Sequence, residues 1–409
     1  MTAGGARHAA EAALRDSYGR LLSLIARSTR DIAAAEDALS EAFAEALRVW
    51  PQRGVPERPE AWLLTAARRA AGHVRRHQGV RDAALPALEQ VYEAMQNRPP
   101  SEFPDERLKL MFVCAHPAID EAMRTPLMLQ TILGLDAARI AQAFLIEAQA
   151  MSQRLVRAKA KIRDAGVSFA VPEASALQER IGDVLSAIYA AYTLGWDDIP
   201  GDGAPGERLT EEAIFLARLV SRLLPDEPEA KGLLALMLAS EARAGARRRA
   251  DGTYVPFKAQ DVRLWNGVLI SEAEASLRAA ALLGKPGRFQ TEAAIQSLQN
   301  QSMIVGDVPA GALLLLYDVL VRQSPATGAA VARAVAYGEH RSAEEGLAQL
   351  DSIPQGRVAA YQPYWAARLH LLLLAGQMQE AAAAHAKARS LTRDPALIAF
   401  LDARLRKAD

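Results

Sequence analysis

Cysteine is almost absent from the sequence: only Cys114 occurs among 409 residues. A single thiol cannot form a disulfide within the chain, and it cannot supply a thiolate-rich zinc site. His116 follows closely and could suggest a pair of metal ligands, but a buried structural cysteine accounts better for one thiol in an apolar segment. We therefore expect neither a disulfide nor a metal site.

Aromatic residues make up only 6% of the chain, and runs of β-branched residues are scarce. Alanine and leucine dominate, and half of the residues are hydrophobic. This composition predicts an all-α protein, long enough for two or three domains. No apolar run approaches the ~18 residues of a membrane span, and the first residues lack the apolar segment of a secretion signal. We expect a cytoplasmic protein that has no membrane partner.

The sequence also lacks a recognisable catalytic set. Its seven histidines are scattered, and it has no glycine-rich phosphate loop, Gly-x-Ser-x-Gly elbow or His-Glu-x-x-His pair. We therefore predict that the protein is not an enzyme, that it has no catalytic residues and that it needs no cofactor.

Neither sign of charge is in excess, because 48 Lys and Arg balance 48 Asp and Glu. Residues 1–170 contain 23 basic and 20 acidic residues, and residues 171–409 contain 25 and 28. Any affinity for nucleic acid must therefore come from local clusters rather than from bulk charge.

The most informative cluster lies at 136–163, where two amphipathic segments separated by a turn predict a helix-turn-helix. The second helix, predicted at 147–164, carries five cations and no acid between its ends: Arg154, Arg157, Lys159, Lys161 and Arg163. Such a helix suits the DNA major groove, because small residues near its start approach base edges while Arg and Lys reach phosphates. Leu155, Val156 and Ile162 are expected to face the core. The alternative is a basic helix face that is merely solvated.

Two other predicted helices each contain a cluster of like charges. The helix at 31–50, capped by Asp31 and stopped by Pro51, has an acidic stripe at every fourth residue: Asp37, Glu41 and Glu45. The helix at 59–77 has Trp62 near its start and no acid after its first turn. It contains four arginines: Arg68, Arg69, Arg75 and Arg76. These surfaces suit a basic protein partner and a nucleic-acid backbone respectively.

The remaining pattern is also helical. Four other helices are predicted before residue 172, at 11–29, 105–115, 121–133 and 136–144. Pro126 should kink the helix at 121–133 or delay its start. Residues 78–104 indicate a linker with one short helix at about 84–96. From 173 onward, helix pairs of roughly 30–45 residues indicate an α-solenoid of the tetratricopeptide type.

Residues 1–172 resemble an extracytoplasmic-function sigma factor of the sigma-70 family. Segments 35–47 and 61–69 match region 2 of that family, and segment 153–159 matches region 4. Segment 105–118 narrows the resemblance to a subgroup that has a tetratricopeptide-like C-terminal extension. The resemblance implies four parts: region 2 at 1–77, a linker at 78–104, a region 4 helix-turn-helix at 105–172 and a regulatory extension at 173–409.

The resemblance also implies a role for each charged helix. Asp37, Glu41 and Glu45 would bind the β′ subunit of bacterial core RNA polymerase, with the β subunit as a further contact. The −10 promoter element would bind Arg68, Arg69, Arg75 and Arg76. The −35 element would be read by Gln149, Ser152 and Gln153 and held through its phosphates by Arg154, Arg157 and Lys161. The extension would receive a protein or small-molecule regulator.

The predicted function is therefore that of a sigma factor, which acts by binding core polymerase and promoter DNA. One alternative is a helix-turn-helix transcriptional regulator with 173–409 as a sensor or dimerisation domain. That alternative leaves the acidic stripe and the basic helix at 59–77 without a role. A second alternative, a helical-repeat scaffold with solvated basic helices, predicts no affinity for DNA.

Overall fold

The computed structural model describes residues 3–77, 105–144, 146–170, 172–197, 205–306 and 310–407. These residues form helices joined by turns, and their one extended pairing is an isolated bridge between Arg248 and Tyr254. The predicted all-α fold is thus confirmed. The chain divides into two compact units, Met1–Leu223 and Leu224–Asp409. None of the described helices is long and apolar enough to cross a membrane.

The first unit begins with a three-helix bundle in which every helix contacts the other two. Its helices are α1 (Ala3–Thr29), α2 (Ile32–Arg53) and α3 (Pro59–His77). Apolar side chains at helical spacing fill the space between them, including the fully buried Leu22, Ile25, Leu39, Trp50 and Leu63. Burial of such side chains is the main stabilising contribution to a bundle of this kind.

The predicted end of α2 at Pro51 is wrong, because the helix continues to Arg53. The fixed φ of proline fits a helical backbone, so Pro51 does not by itself end the helix, although it cannot donate to the carbonyl four residues earlier. The break comes at Gly54 instead, whose positive φ of 88° leaves the helical path while its N–H donates to the Trp50 carbonyl over 3.0 Å. At the other end the predicted cap is confirmed, since Asp31 Oδ1 accepts from the Ala33 and Ala34 amides.

Four shorter helices follow in the first unit: α4 (Glu106–Cys114), α5 (Glu121–Leu133), α6 (Ala137–Ala143) and α7 (Ala148–Asp164). Pro126 does not delay α5, which starts at Glu121 because the Asp120 side chain accepts from the Ala122 amide over 3.0 Å. Gly134 then ends α5 in the left-handed conformation, with φ of 66°. The helices α6 and α7 contact each other as the predicted helix-turn-helix. The predicted short helix at 84–96 lies outside the described residues.

Two long helices complete the first unit: α8 (Ala174–Asp197) and α9 (Pro205–Leu223). The helix α8 packs on α4 and α5. Polar contacts reinforce this packing, because Arg124 pairs with Asp183 over 2.7 Å and Arg180 donates to the Phe112 carbonyl over 3.1 Å. The first two helices after residue 172 therefore belong to the same compact unit as the helix-turn-helix.

The second unit is a succession of helices, each packed mainly on helices near it in the sequence. They are α10 (Pro228–Glu241), α11 (Gly267–Leu282), α12 (Arg288–Val305), α13 (Ala310–Gln323), α14 (Thr327–His340), α15 (Ala343–Asp351), α16 (Gln355–Val358), α17 (Gln362–Leu374), α18 (Met378–Ser390) and α19 (Pro395–Arg406). Gly376 turns the chain between α17 and α18 with φ of 68°, and the small residues Ala381, Ala384 and Ala388 bury the inner face of α18. Such local packing is typical of helical repeats.

Candidate nucleic-acid interface

The acidic stripe lies on the outer face of α2. Asp37, Glu41 and Glu45 are all exposed, while Leu39, Phe43, Ala46 and Trp50 on the opposite face are buried in the bundle. The i, i+4 spacing keeps the three carboxylates in one row along the helix. The bundle thus presents a line of negative charge that a basic protein surface can bind.

The basic helix α3 is fixed to the bundle at its first turn. Glu60 accepts a hydrogen bond from Ser17, and its carboxylate lies 3.5 Å from Arg20. Trp62 is partly buried and meets Trp50 edge to face, with ring centroids 5.5 Å apart, so its ring packs in the core. This contact orients the rest of α3.

The structure describes the side chains of two of the four arginines that are predicted to bind the −10 element. Arg69 is exposed and Arg68 is half-buried, where desolvation lowers the pKa of its guanidinium. Arginine remains charged at neutral pH despite such a shift, so both can neutralise phosphates. Arg75 and Arg76 are in α3, but their side chains lie outside the described residues.

The helix α7 has one mainly apolar, buried face and one mainly polar, exposed face. Met151, Leu155, Ala158 and Ile162 are buried. All six predicted −35 residues are exposed: Gln149, Ser152, Gln153, Arg154, Arg157 and Lys161. Three cations and three neutral polar side chains thus share one accessible surface, which is the composition that duplex recognition requires.

Val156 does not face the core as predicted, since 63% of its surface is exposed. The neighbouring Leu155 points inward, and consecutive residues are separated by ~100° around an α-helix, so both cannot share that face. The inward position one turn after Leu155 belongs to Lys159 instead.

Lys159 pairs with Glu36 of α2, with 2.5 Å between its ammonium nitrogen and the carboxylate. Only 8% of the Lys159 side chain and 20% of the Glu36 side chain are exposed. Burial raises the pKa of Glu36, while Lys159 opposes that increase. A second cation of α7, Arg163, lies 3.8 Å from Asp31 at the start of α2. Sequence reasoning missed this contact, because no local pattern connects partners so far apart in the chain.

A cleft of about 1050 Å³ opens within the first unit beside this contact. Its walls come from α1, α2, α9 and the turn between α5 and α6, with Tyr18, Asp37, Gly134 and Phe215 among the lining residues. Arg107 reaches across its edge: the guanidinium pairs with Asp105 and Glu212 and lies 5.2 Å from the Phe215 ring centroid. Arg107 thereby connects α9 to the segment before α4.

The described residues contain no metal-binding cluster, and the single cysteine is inaccessible. No group of three His, Cys, Asp or Glu in the described ranges is placed to hold a metal ion. Cys114 is fully buried beside Thr131, with 3.6 Å between sulfur and hydroxyl, and burial raises the pKa of its thiol to about 12. A thiol with so high a pKa is a poor nucleophile at neutral pH.

Two families match separate parts of the chain. Sigma-70 region 2 matches residues 14–80, which include the acidic stripe and the basic helix α3. A family of unknown function, DUF6596, matches residues 180–281. No solved structure matches the chain significantly.

One curated relative matches over almost the whole length. The uncharacterized protein R00370 of Rhizobium meliloti (strain 1021) is 34% identical over 397 residues, which cover 95% of this chain and 93% of that protein. Similarity of this extent reaches from the bundle through both compact units. The chain therefore belongs to the same family as the Rhizobium protein, and it contains a segment that matches sigma-70 region 2.

Proposed function

We propose that the protein is an RNA polymerase sigma factor of the extracytoplasmic-function type, which binds core polymerase and directs initiation at specific promoters. The match of sigma-70 region 2 to residues 14–80 carries this proposal, because that region contains the acidic stripe and the basic helix α3. Asp37, Glu41 and Glu45 bind core polymerase, and Arg68, Arg69, Arg75 and Arg76 bind the −10 element. The protein acts by binding and performs no chemistry itself.

The helix-turn-helix formed by α6 and α7 reads the −35 element in this proposal. Gln149, Ser152 and Gln153 lie in the first turns of α7, where side chains reach base edges, and glutamine pairs well with adenine. Arg154, Arg157 and Lys161 are exposed further along the same helix and bind phosphates. Residues 173–409 form a tetratricopeptide-like extension that regulates initiation in response to a protein or a small molecule.

The proposal is tested by transcription in vitro with purified core polymerase and the DNA upstream of the protein's own gene. Initiation that requires the added protein supports it. The triple variant Asp37→Lys, Glu41→Lys, Glu45→Lys should lose binding to core polymerase, and changing three exposed glutamates elsewhere should not. If the unaltered protein does not bind core polymerase but binds DNA, a conventional helix-turn-helix regulator is the better account.

The role of α7 has its own test, the salt dependence of −35 duplex binding. Each phosphate contact contributes a slope of about −0.9 in log K against log salt. Replacing Arg154 and Arg157 by alanine should therefore reduce the slope by about 2, with a similar loss on every sequence. Replacing Gln153 by alanine should leave the slope unchanged and reduce discrimination between bases. An unchanged slope in the double variant would show that α7 does not hold the backbone.

A further inference from the structure

The proposed function assigns promoter binding to two parts of the chain, the bundle of α1–α3 and the helices α4–α7. These two parts touch each other in this structure. The helix α2 contacts α7, and α1 contacts both α4 and α5. The −10 and −35 elements, however, are separated by roughly 25 base pairs, or ~85 Å at ~3.4 Å per base pair. If α3 binds one element and α7 the other, as in the proposed function, the two parts must separate before both elements are bound.

The contact between the two parts is specific rather than incidental. Lys159 and Glu36 form its centre, where both side chains are largely shielded from water. Arg163 and Asp31 lie 3.8 Å apart on one side, and Arg27 of α1 pairs with Glu106 of α4 over 3.1 Å. Removing either partner would leave a largely buried charge unpaired, which is strongly destabilising, so the closed arrangement depends on both Glu36 and Lys159.

The backbones also approach closely on the other side of the contact. Gly19 of α1 is buried against α5, and a Cβ atom built at this position would lie 1.9 Å from the Ile132 carbonyl oxygen. Only glycine permits that distance, because the opposing atom belongs to the backbone and cannot rotate away. The ring of Tyr18 packs on Gly134 in the same region. The two contacting surfaces are therefore complementary in shape as well as in charge.

From this geometry we propose that the Glu36–Lys159 pair, together with the Gly19–Ile132 approach, is an autoinhibitory latch that holds the free protein closed. This inference rests on the proposed function. The latch leaves the acidic stripe and the −35 residues exposed, so it acts by restricting the separation of the two parts and not by covering their surfaces. The 28 residues between α3 and α4 can span at most roughly 100 Å, which permits separation without breaking either part.

The latch has a measurable cost for assembly with polymerase. When only the open form can complete the complex, the apparent dissociation constant is the intrinsic one divided by the open fraction. A closed population of about ten to one weakens apparent affinity about tenfold, which corresponds to ~1.4 kcal/mol. Weakening the latch should therefore tighten binding to core polymerase, although no residue of the proposed binding surfaces is altered.

A charge swap tests the latch in the full chain. Glu36→Lys and Lys159→Glu each place like charges in the contact, while the double variant restores an opposite pair in reversed order. We expect each single variant to bind core polymerase up to about tenfold more tightly and the double variant to return toward the wild type. Arg263→Glu, which alters an exposed ion pair in the second unit, is the matched control and should change nothing.

The closed state can be measured without polymerase by pulsed electron paramagnetic resonance. Leu47 of α2 and Val156 of α7 are exposed, so nitroxide labels on Leu47→Cys and Val156→Cys report the distance between the two parts. Cys114 is buried and should not compete for the label. One narrow, short distance is expected in the wild type, with longer and broader distances in the single charge variants.

A second variant keeps the proposal testable if the charge variants fail to fold. Gly19→Ala forces the two backbones apart without changing any charge, and Gly182→Ala, in open space on α8, is its control. Wild-type distances that are already long, or opened variants that bind core polymerase no more tightly, would overturn the latch. A wild type that does not bind core polymerase overturns the proposed function. The spin-label distances would still show whether the contact between α2 and α7 is closed in the free protein.

Discussion

Glu339 illustrates how single residues are stabilised where several helices meet in the second unit. Its carboxylate lies 2.9 Å from Lys258 and 2.9 Å from His370, and Arg404 is 2.6 Å from the other ring nitrogen of His370. Because arginine can only donate, His370 accepts at Nδ1 and carries its proton on Nε2, which donates to Glu339. The four side chains thus form one polar network across four segments.

The network predicts a pH-dependent contribution to stability. Burial alone would raise the pKa of Glu339, but hydrogen bonds from His370 and Lys258 outweigh it and lower the pKa to about 2. The pKa of an unfolded glutamate is about 4.3. The stabilisation is therefore fully present above about pH 5 and is lost as the pH falls toward 2.

Glu339→Gln should lower the free energy of unfolding by about 1–2 kcal/mol at pH 7, after a reduction for solvent screening. The difference from the wild type should shrink as the pH falls from 5 to 2. Urea unfolding at several pH values measures this, with the exposed turn residue Asp226→Asn as control. A difference that stays constant with pH would show that the carboxylate charge is not the stabilising feature.

At the scale of elements, side-chain caps decide where the helices of the first unit begin. Asp31, Asp120 and Asp136 each accept from amides of the following turn, at the starts of α2, α5 and α6. Glu147, which precedes α7, makes no such bond. The helix-turn-helix therefore depends on the cap of α6 more than on any cap of α7.

Asp136→Ala should destabilise the first unit by about 1 kcal/mol, because the Arg139 amide loses its acceptor at 2.8 Å. Asp136→Asn keeps an acceptor at the same position and should remain close to the wild type. Thermal unfolding of both variants provides the comparison, and −35 duplex binding should fall only in the alanine variant. Equal losses in the two variants would point to the charge of Asp136 rather than to its cap.

At the scale of the whole molecule, the boundary of the first unit has a practical consequence. The unit continues to Leu223, because α8 and α9 are attached through Arg124–Asp183 and through the pairing of Arg107 with Glu212. A cut at residue 172 exposes the apolar surface of α4 and α5 that α8 covers. The resemblance places the start of the extension at 173, but the packing continues beyond that point.

A fragment of residues 1–223 should therefore fold more stably than a fragment of residues 1–172. We expect a difference of several kcal/mol in the free energy of unfolding, since burial of each large apolar side chain contributes about 1.5–3 kcal/mol. Circular dichroism during urea titration of the two fragments measures it. Equal stability would mean that α8 and α9 add nothing to the folding of the preceding helices.

Much of the fold was predictable because its signals are local. The apolar spacing in α2 and α7 predicted both helices, and Asp31 was correctly predicted as a cap. The end of α2 was predicted too early, because the sequence shows Pro51 but does not show the positive φ of Gly54. That angle depends on the following loop. The outward orientation of Val156 was also missed, because three apolar residues at 155, 156 and 162 do not reveal which two share a face.

The sequence by itself determined that the chain is helical, that three of its helices contain clusters of like charges and that it resembles a sigma factor. These properties follow from composition and from the 3.6-residue period, and both act within a few turns of chain. Only the tertiary structure decided that Lys159, one of five similar cations, turns inward to Glu36. Charges separated by more than a hundred residues pair through the packing of α2 on α7, which no local pattern specifies.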